Sequence, residues 1–94
     1  MFVTLPDLTL LNINNNNISL VEPDTFSGLH RLQLLHIDSN KITSFPPYVL
    51  SPMSSLLKLD ASNNRIVKID ETTFHGLHNL KELILINNLS LIHI

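Results

Sequence analysis

An apolar pattern recurs every 24 residues along this chain without any shift of frame. Leu5, Leu29, Met53 and Leu77 fall in one column, Leu8, Leu32, Leu56 and Leu80 in the next, and Leu11, Leu35, Leu59 and Leu83 in a third. Ile13, Ile37, Ala61 and Leu85 form a fourth. Asn16, Asn40, Asn64 and Asn88 keep the same step, followed by Ile18, Ile42 and Ile66, then Val21, Phe45 and Ile69, then Phe2, Phe26, Leu50 and Phe74 counted from the preceding repeat onward. A period of about 20–50 residues marks a stacked array, in which each unit buries its apolar side against its neighbours instead of against distant segments. The repeat, not the 94-residue chain, is therefore the unit to reason about.

Within each period, a segment such as Leu32 to Asn40 alternates apolar and polar residues through Leu35 and Ile37, the two-residue period of a half-buried strand. One strand per repeat, stacked in register, predicts a parallel sheet. The rest of each period, Ile18 to Gly28 or Ile66 to Gly76, spaces its apolar residues irregularly and predicts an extended or short 3₁₀ return. Pro46 and Pro47 argue against a long helix in the second return. Gly28, Pro52 and Gly76 share one column where the chain must turn before the next repeat. The boundaries read as about 5–28, 29–52 and 53–76, with a partial fourth repeat at 77–94 and a remnant of a preceding one at 1–4. Phe2 already sits in the Phe26 column, so the sequence reads as a piece of a longer array.

The asparagine column has a structural explanation. Past each strand the backbone turns inward, and an Asn side chain can both donate to and accept from the buried peptide groups left there. Asn16, Asn40, Asn64 and Asn88 are expected to form this ladder, with no catalytic part.

These residues carry a family resemblance. The order Leu-x-x-Leu-x-x-Leu-x-Leu-x-x-Asn-x-Ile, closing on a Phe-x-x-Leu, resembles the leucine-rich repeat family, and the 24-residue length with its Phe column resembles the "typical" subclass. The resemblance covers residues 2 to 88 in three in-phase copies. It implies an α/β-type right-handed solenoid with a parallel β-sheet on the concave face, loops or short 3₁₀ turns on the convex face, and protein binding by the concave face. In this subclass it further implies extracellular or membrane-anchored receptors, adhesion proteins and matrix proteins. The departures are Leu50 in the Phe column, the small Ala61 at a core position, and an out-of-phase run from Leu89 to Ile94. The cysteine-rich caps common among extracellular members are absent from this sequence.

Strand residues that alternate with the core leucines point out of the sheet. The outward columns are Leu10, Leu34, Lys58 and Glu82; Asn12, His36, Asp60 and Ile84; and Asn14, Asp38, Ser62 and Ile86. Neighbours within a column sit about 4.8 Å apart, so His36 should lie against Asp60 and Lys58 against Glu82. Asn12, Asn14, His36, Asp38, Lys58, Asp60, Ser62 and Glu82 are the candidate protein-binding residues; the competing reading of any one of them is an ordinary solvated side chain. On the last strand Ile84, Ile86 and Leu89 put aliphatics beside an unpaired edge, which points to self-association there. Half-buried end repeats are expected to be marginally stable.

Charged residues make up only 15% of the chain and the net charge is −2, which argues against nucleic acid as a partner. With no cysteine there is no disulfide and no thiolate site. No apolar run reaches the length of about 18 residues that crosses a bilayer, and residues 1–7 lack the pattern of a secretory signal. His36, Asp60 and Ser62 supply the residue types of a catalytic triad, yet a flat sheet offers neither an oxyanion hole nor an enclosed pocket. His75-x-x-His78 has no well-spaced third ligand and reads as a surface pair. No cofactor is expected. Two glycosylation sequons occur, Asn17-Ile18-Ser19 and Asn88-Leu89-Ser90; Asn17 is the candidate, because Asn88 is itself a ladder residue. The sequence thus predicts a non-catalytic protein-interaction module at the cell surface or outside it, with an intracellular scaffold or regulatory subunit as the alternative.

Overall fold

The computed structural model describes residues 6–89. Alternation around the central leucines produces four short parallel strands among these residues: β1 Leu10–Asn12, β2 Leu34–His36, β3 Lys58–Asp60 and β4 Glu82–Ile84. They lie side by side in sequence order and form an open sheet. The register is that of the 24-residue step: Leu11 pairs with Leu35, Leu35 with Leu59, and Leu59 with Leu83.

Each strand is only three residues long, but lateral hydrogen bonding runs further. Gln33, Leu57 and Lys81 donate backwards to Thr9, Gln33 and Leu57 before the strands, at 2.8 Å each. After the strands, Ile13, Ile37 and Ala61 donate forwards to His36, Asp60 and Ile84, at 2.9 Å each. The turns reverse through a left-handed residue directly before each ladder asparagine: Asn15, Ser39, Asn63 and Asn87 have φ between 55° and 59°. Asn tolerates this region better than most L-residues.

The ladder closes those turns. Asn64 Nδ2 donates to the carbonyls of Ala61 and Ser62 in its own repeat and of Ile37 in the preceding one, while its Oδ1 accepts from the Ile42 amide at 3.1 Å. Asn40 repeats the pattern on Ile37, Asp38 and Ile13, and accepts from the amides of Asn16 and Ile18. Both are buried. Asn88 is half-buried and bonds Leu85, Ala61 and the Ile66 amide. Asn16 is exposed, and among the described residues its side chain reaches only carbonyls of its own turn, Ile13 and Asn14.

On the convex side the chain returns through successive turns with i to i+3 hydrogen bonds, for example Leu29 to Phe26 and Leu32 to Leu29; no continuous helix forms among the described residues. Gly28 and Gly76 make the tight turn with φ of 84° and 89°. Pro52 occupies the same column but cannot follow, because its ring holds φ near about −65°. In the return of that repeat a left-handed residue comes earlier, at Tyr48 with φ of 61°. Tyr48 also donates its amide to Thr72, and its ring meets His75 edge-on with centroids 5.1 Å apart.

The core is one continuous cluster running along the array through Leu29, Leu32, Leu35, Ile37, Leu50, Met53, Leu56, Leu59 and Ile66. Leu50 fills the Phe column without exposure, and Ala61 is fully buried. Leu11 and Leu80 pack against the cluster only in part, and Leu83 is 39% exposed. Full burial of a Leu side chain stabilises by about 1.5–3 kcal/mol, so the two central repeats hold most of the apolar stabilisation. Phe2, Leu5 and the run from Ser90 to Ile94 lie outside the described residues.

Candidate functional site

The register fixes what the sheet presents. His36 on β2 stands beside Asp60 on β3, and Lys58 beside Glu82, as column arithmetic predicts. Lys58 Nζ approaches Glu82 Oε1 to 3.9 Å at the exposed rim, where such a pair is worth little. Asn12, Asn14 and Glu82 are exposed, while His36, Asp38, Lys58 and Asp60 are half-buried. These seven side chains lie on one face of the array.

Ser62 lies beside Asp60 on the same face but is buried there. Its hydroxyl donates to Asp60 Oδ1 at 2.7 Å and its amide donates to the same oxygen at 3.1 Å. The short side chain folds back onto its own turn, in a column whose neighbours Asp38 and Ile86 are longer. Its contribution is to hold the Asp60 carboxylate. This arrangement also differs from a catalytic triad, since the Ser62 hydroxyl is directed at a carboxylate and not at a histidine. In the first repeat Asn12 Oδ1 plays the Asp60 part, accepting from the Asn14 amide at 3.1 Å.

The sheet also gathers His36, Asp38 and Asp60, one donor atom from each lying within 4.8 Å of the others. The pairing of His36 with Asp60 is visible in the 24-residue step, but the approach of Asp38 depends on side-chain rotamers that the sequence does not disclose. Toward the last strand the character changes. Leu10 at one edge and Ile86 and Leu89 at the other are largely exposed, whereas Ile84 is half-buried.

Asn17 is exposed, with Ile18 half-buried and Ser19 exposed beside it. It borders a cavity of about 570 Å³ at the first-repeat end, lined by Ile13, Ile18, Val21 and Phe26. The Asn88 amide is engaged on both its oxygen and its nitrogen. No helix among the described residues is long and apolar enough to cross a membrane.

On the convex side the Asp70 carboxylate sits in a turn where Thr72 hydrogen-bonds to it twice. Hydrogen bonds from the Thr72 hydroxyl (2.7 Å) and amide (2.9 Å) hold it below the usual aspartate range, with Lys68 adding a weaker attraction.

An open parallel sheet, one strand per 24 residues and a buried asparagine closing each central turn define a repeat solenoid. Comparison with known proteins specifies which one. A family model described as "Leucine rich repeat" matches residues 1–42. Among solved structures, the TLR13 chain in its complex with ssRNA13 is 30% identical and superposes over 89% of this chain with a TM-score of 0.82. The internalin inlF from Listeria monocytogenes is also 30% identical, over 97% of this chain, with a TM-score of 0.74. Residues 1–42 thus match the leucine-rich repeat family, and the fold of the chain is that of a leucine-rich repeat solenoid. It spans 13% of the TLR13 chain and 25% of the internalin chain. No curated protein sequence matches it significantly.

Proposed function

We infer that this chain is a non-catalytic recognition module whose sheet face docks another protein. The observation that carries the reading is the registered row of outward polar side chains across β1 to β4, with Asn12, Asn14, His36, Asp38, Lys58, Asp60 and Glu82 on one continuous surface. Mixed charge and short amides suit adaptable hydrogen bonding to a protein, and Ser62 supports the face by fixing Asp60. The family, and its 24-residue subclass pattern, favour a parent at the cell surface or outside the cell, where Asn17 is an accessible glycan acceptor. An intracellular scaffold is the competing setting. The exposed Ile86 and Leu89 at the open β4 edge support self-association as a further contact of the same module.

A second reading comes from one neighbour: TLR13 was solved with ssRNA13, so a nucleic-acid ligand is a specific alternative. The net charge of −2 gives it little electrostatic support.

The test immobilises the 94-residue chain and its Asp38→Lys and Asp60→Lys variants, and compares the proteins each retains from a cell-surface and secreted fraction and from a cytosolic fraction. A protein held by the wild type and lost with both variants supports the reading, and the fraction it comes from decides the setting. A partner retained undiminished by both clears the sheet face of involvement. Saturable binding of a single-stranded RNA oligonucleotide, weakening as salt rises, favours the second reading.

A further inference from the structure

We propose that His36, Asp38 and Asp60 form a binding site for a divalent transition metal ion of the Zn²⁺ class on the sheet face. The three donor atoms, one imidazole nitrogen and two carboxylate oxygens, already lie within 4.8 Å of one another. Around a tetrahedral ion with bonds of about 2.0–2.1 Å, ligand atoms stand roughly 3.3 Å apart. Half-buried side chains close that gap by small rotamer adjustments, without movement of the strands.

The backbone supplies the pre-arrangement. His36 and Asp60 are laterally paired residues of β2 and β3, and Asp38 stands two residues beyond His36, hence on the same side of the chain. Ser62 fixes the Asp60 carboxylate through Oδ1, leaving Oδ2 as the free donor. Such an outer hydrogen bond to a ligating carboxylate is what orients ligands in metal sites. Lys58, on the same strand as Asp60, reaches Glu82 at 3.9 Å. Two neighbouring carboxylates repel each other, and a divalent cation between them relieves that repulsion.

The donor set selects the ion. Ca²⁺ and Mg²⁺ take oxygen ligands, whereas an imidazole beside carboxylates suits Zn²⁺ and its first-row neighbours. Three protein ligands leave at least one coordination position facing solvent, open to water or to an anionic group of an incoming molecule. The inference does not rest on the protein-docking reading, because the ion is titrated with no partner present.

Isothermal titration of the full chain with Zn²⁺ alone, followed by the imidazole resonances of His36, tests it. The expected result is one saturable equivalent, a shift confined to the His36 ring among the histidines, loss of the isotherm in His36→Ala and in the isosteric Asp38→Asn, and no change in a His75→Ala/His78→Ala double variant. Ser62→Ala, which removes only the outer bond, should weaken binding by about tenfold. Far-ultraviolet circular dichroism confirms that each variant keeps its fold. Absence of saturable Zn²⁺ binding, persistence of the isotherm in folded Asp38→Asn, or its loss in the His75/His78 variant would overturn the proposal.

Discussion

The two middle repeats and the two outer ones share a sequence pattern but not an environment. Leu35 and Leu59 have no exposure, whereas their column partners Leu11 and Leu83 are half-buried and 39% exposed. Asn40 and Asn64 are buried, yet Asn16 is exposed and Asn88 lies between. Identical residues thus differ in energetic weight according to whether a neighbour lies on both sides. In a stack, burial is supplied by adjacent units and not by the repeat itself.

The largest test of that contrast is paired truncation. Leu59→Ala should destabilise by about 2–5 kcal/mol, the range for a buried leucine whose cavity cannot collapse, while Leu83→Ala should cost well under half as much in the same urea titration. Equal losses would mean that the outer repeats are as well packed as the middle. Next comes the ladder. Asn64→Ala strands the Ile42 amide and takes one of two donors from each of the carbonyls of Ile37, Ala61 and Ser62, and should cost about 1–3 kcal/mol. Asn16→Ala should stay within about 0.5 kcal/mol. A large effect at Asn16 would show that its own-turn bonds to Ile13 and Asn14 stabilise on their own.

A smaller effect is expected on the convex side. In Gly76→Ala the new methyl would stand 3.0 Å from Ser51 Cβ and 3.2 Å from its Cα, at φ of 89°. The left-handed region alone costs an L-residue about 1–2 kcal/mol, so the variant should melt measurably lower. An unchanged melting temperature would mean that the Ser51 turn yields freely. The smallest effect concerns acid. Because the folded Asp70 carboxyl titrates below its unfolded value, its contribution is complete above the ordinary aspartate range and disappears as pH falls through the depressed one. Asp70→Asn should therefore lessen the loss of stability on acidification, and an identical acid profile would remove the Thr72 hydrogen bonds from the account.

The strand positions, the sheet register and the role of the asparagines were legible because one period fixes all of them: a residue 24 positions on must occupy the equivalent place. What escaped was local to single side chains. Alternation places Ser62 on the side of Asp60, but it does not disclose that the short hydroxyl is buried there and bonded to the Asp60 carboxylate. Tyr48 gives no sign of φ of 61°; the only clue is that Pro52 cannot turn where Gly28 and Gly76 do. The meeting of Asp38 with the His36–Asp60 pair needed rotamers as well as register.

The bonding pattern of the ladder also has a direction. Asn40, Asn64 and Asn88 each reach back to the repeat before them, to carbonyls of Ile13, Ile37 and Ala61 and to amides of Ile18, Ile42 and Ile66. The two faces of any one coil are therefore chemically unlike, as the two ends of a polar filament are. A coil grafted on the carboxyl side would finish the wiring of its predecessor, while one grafted on the amino side would be finished by its successor. Shuffling coils within the stack should be tolerated only where orientation is kept, since a reversed pair of surfaces would set carboxamide against carboxamide or backbone against backbone.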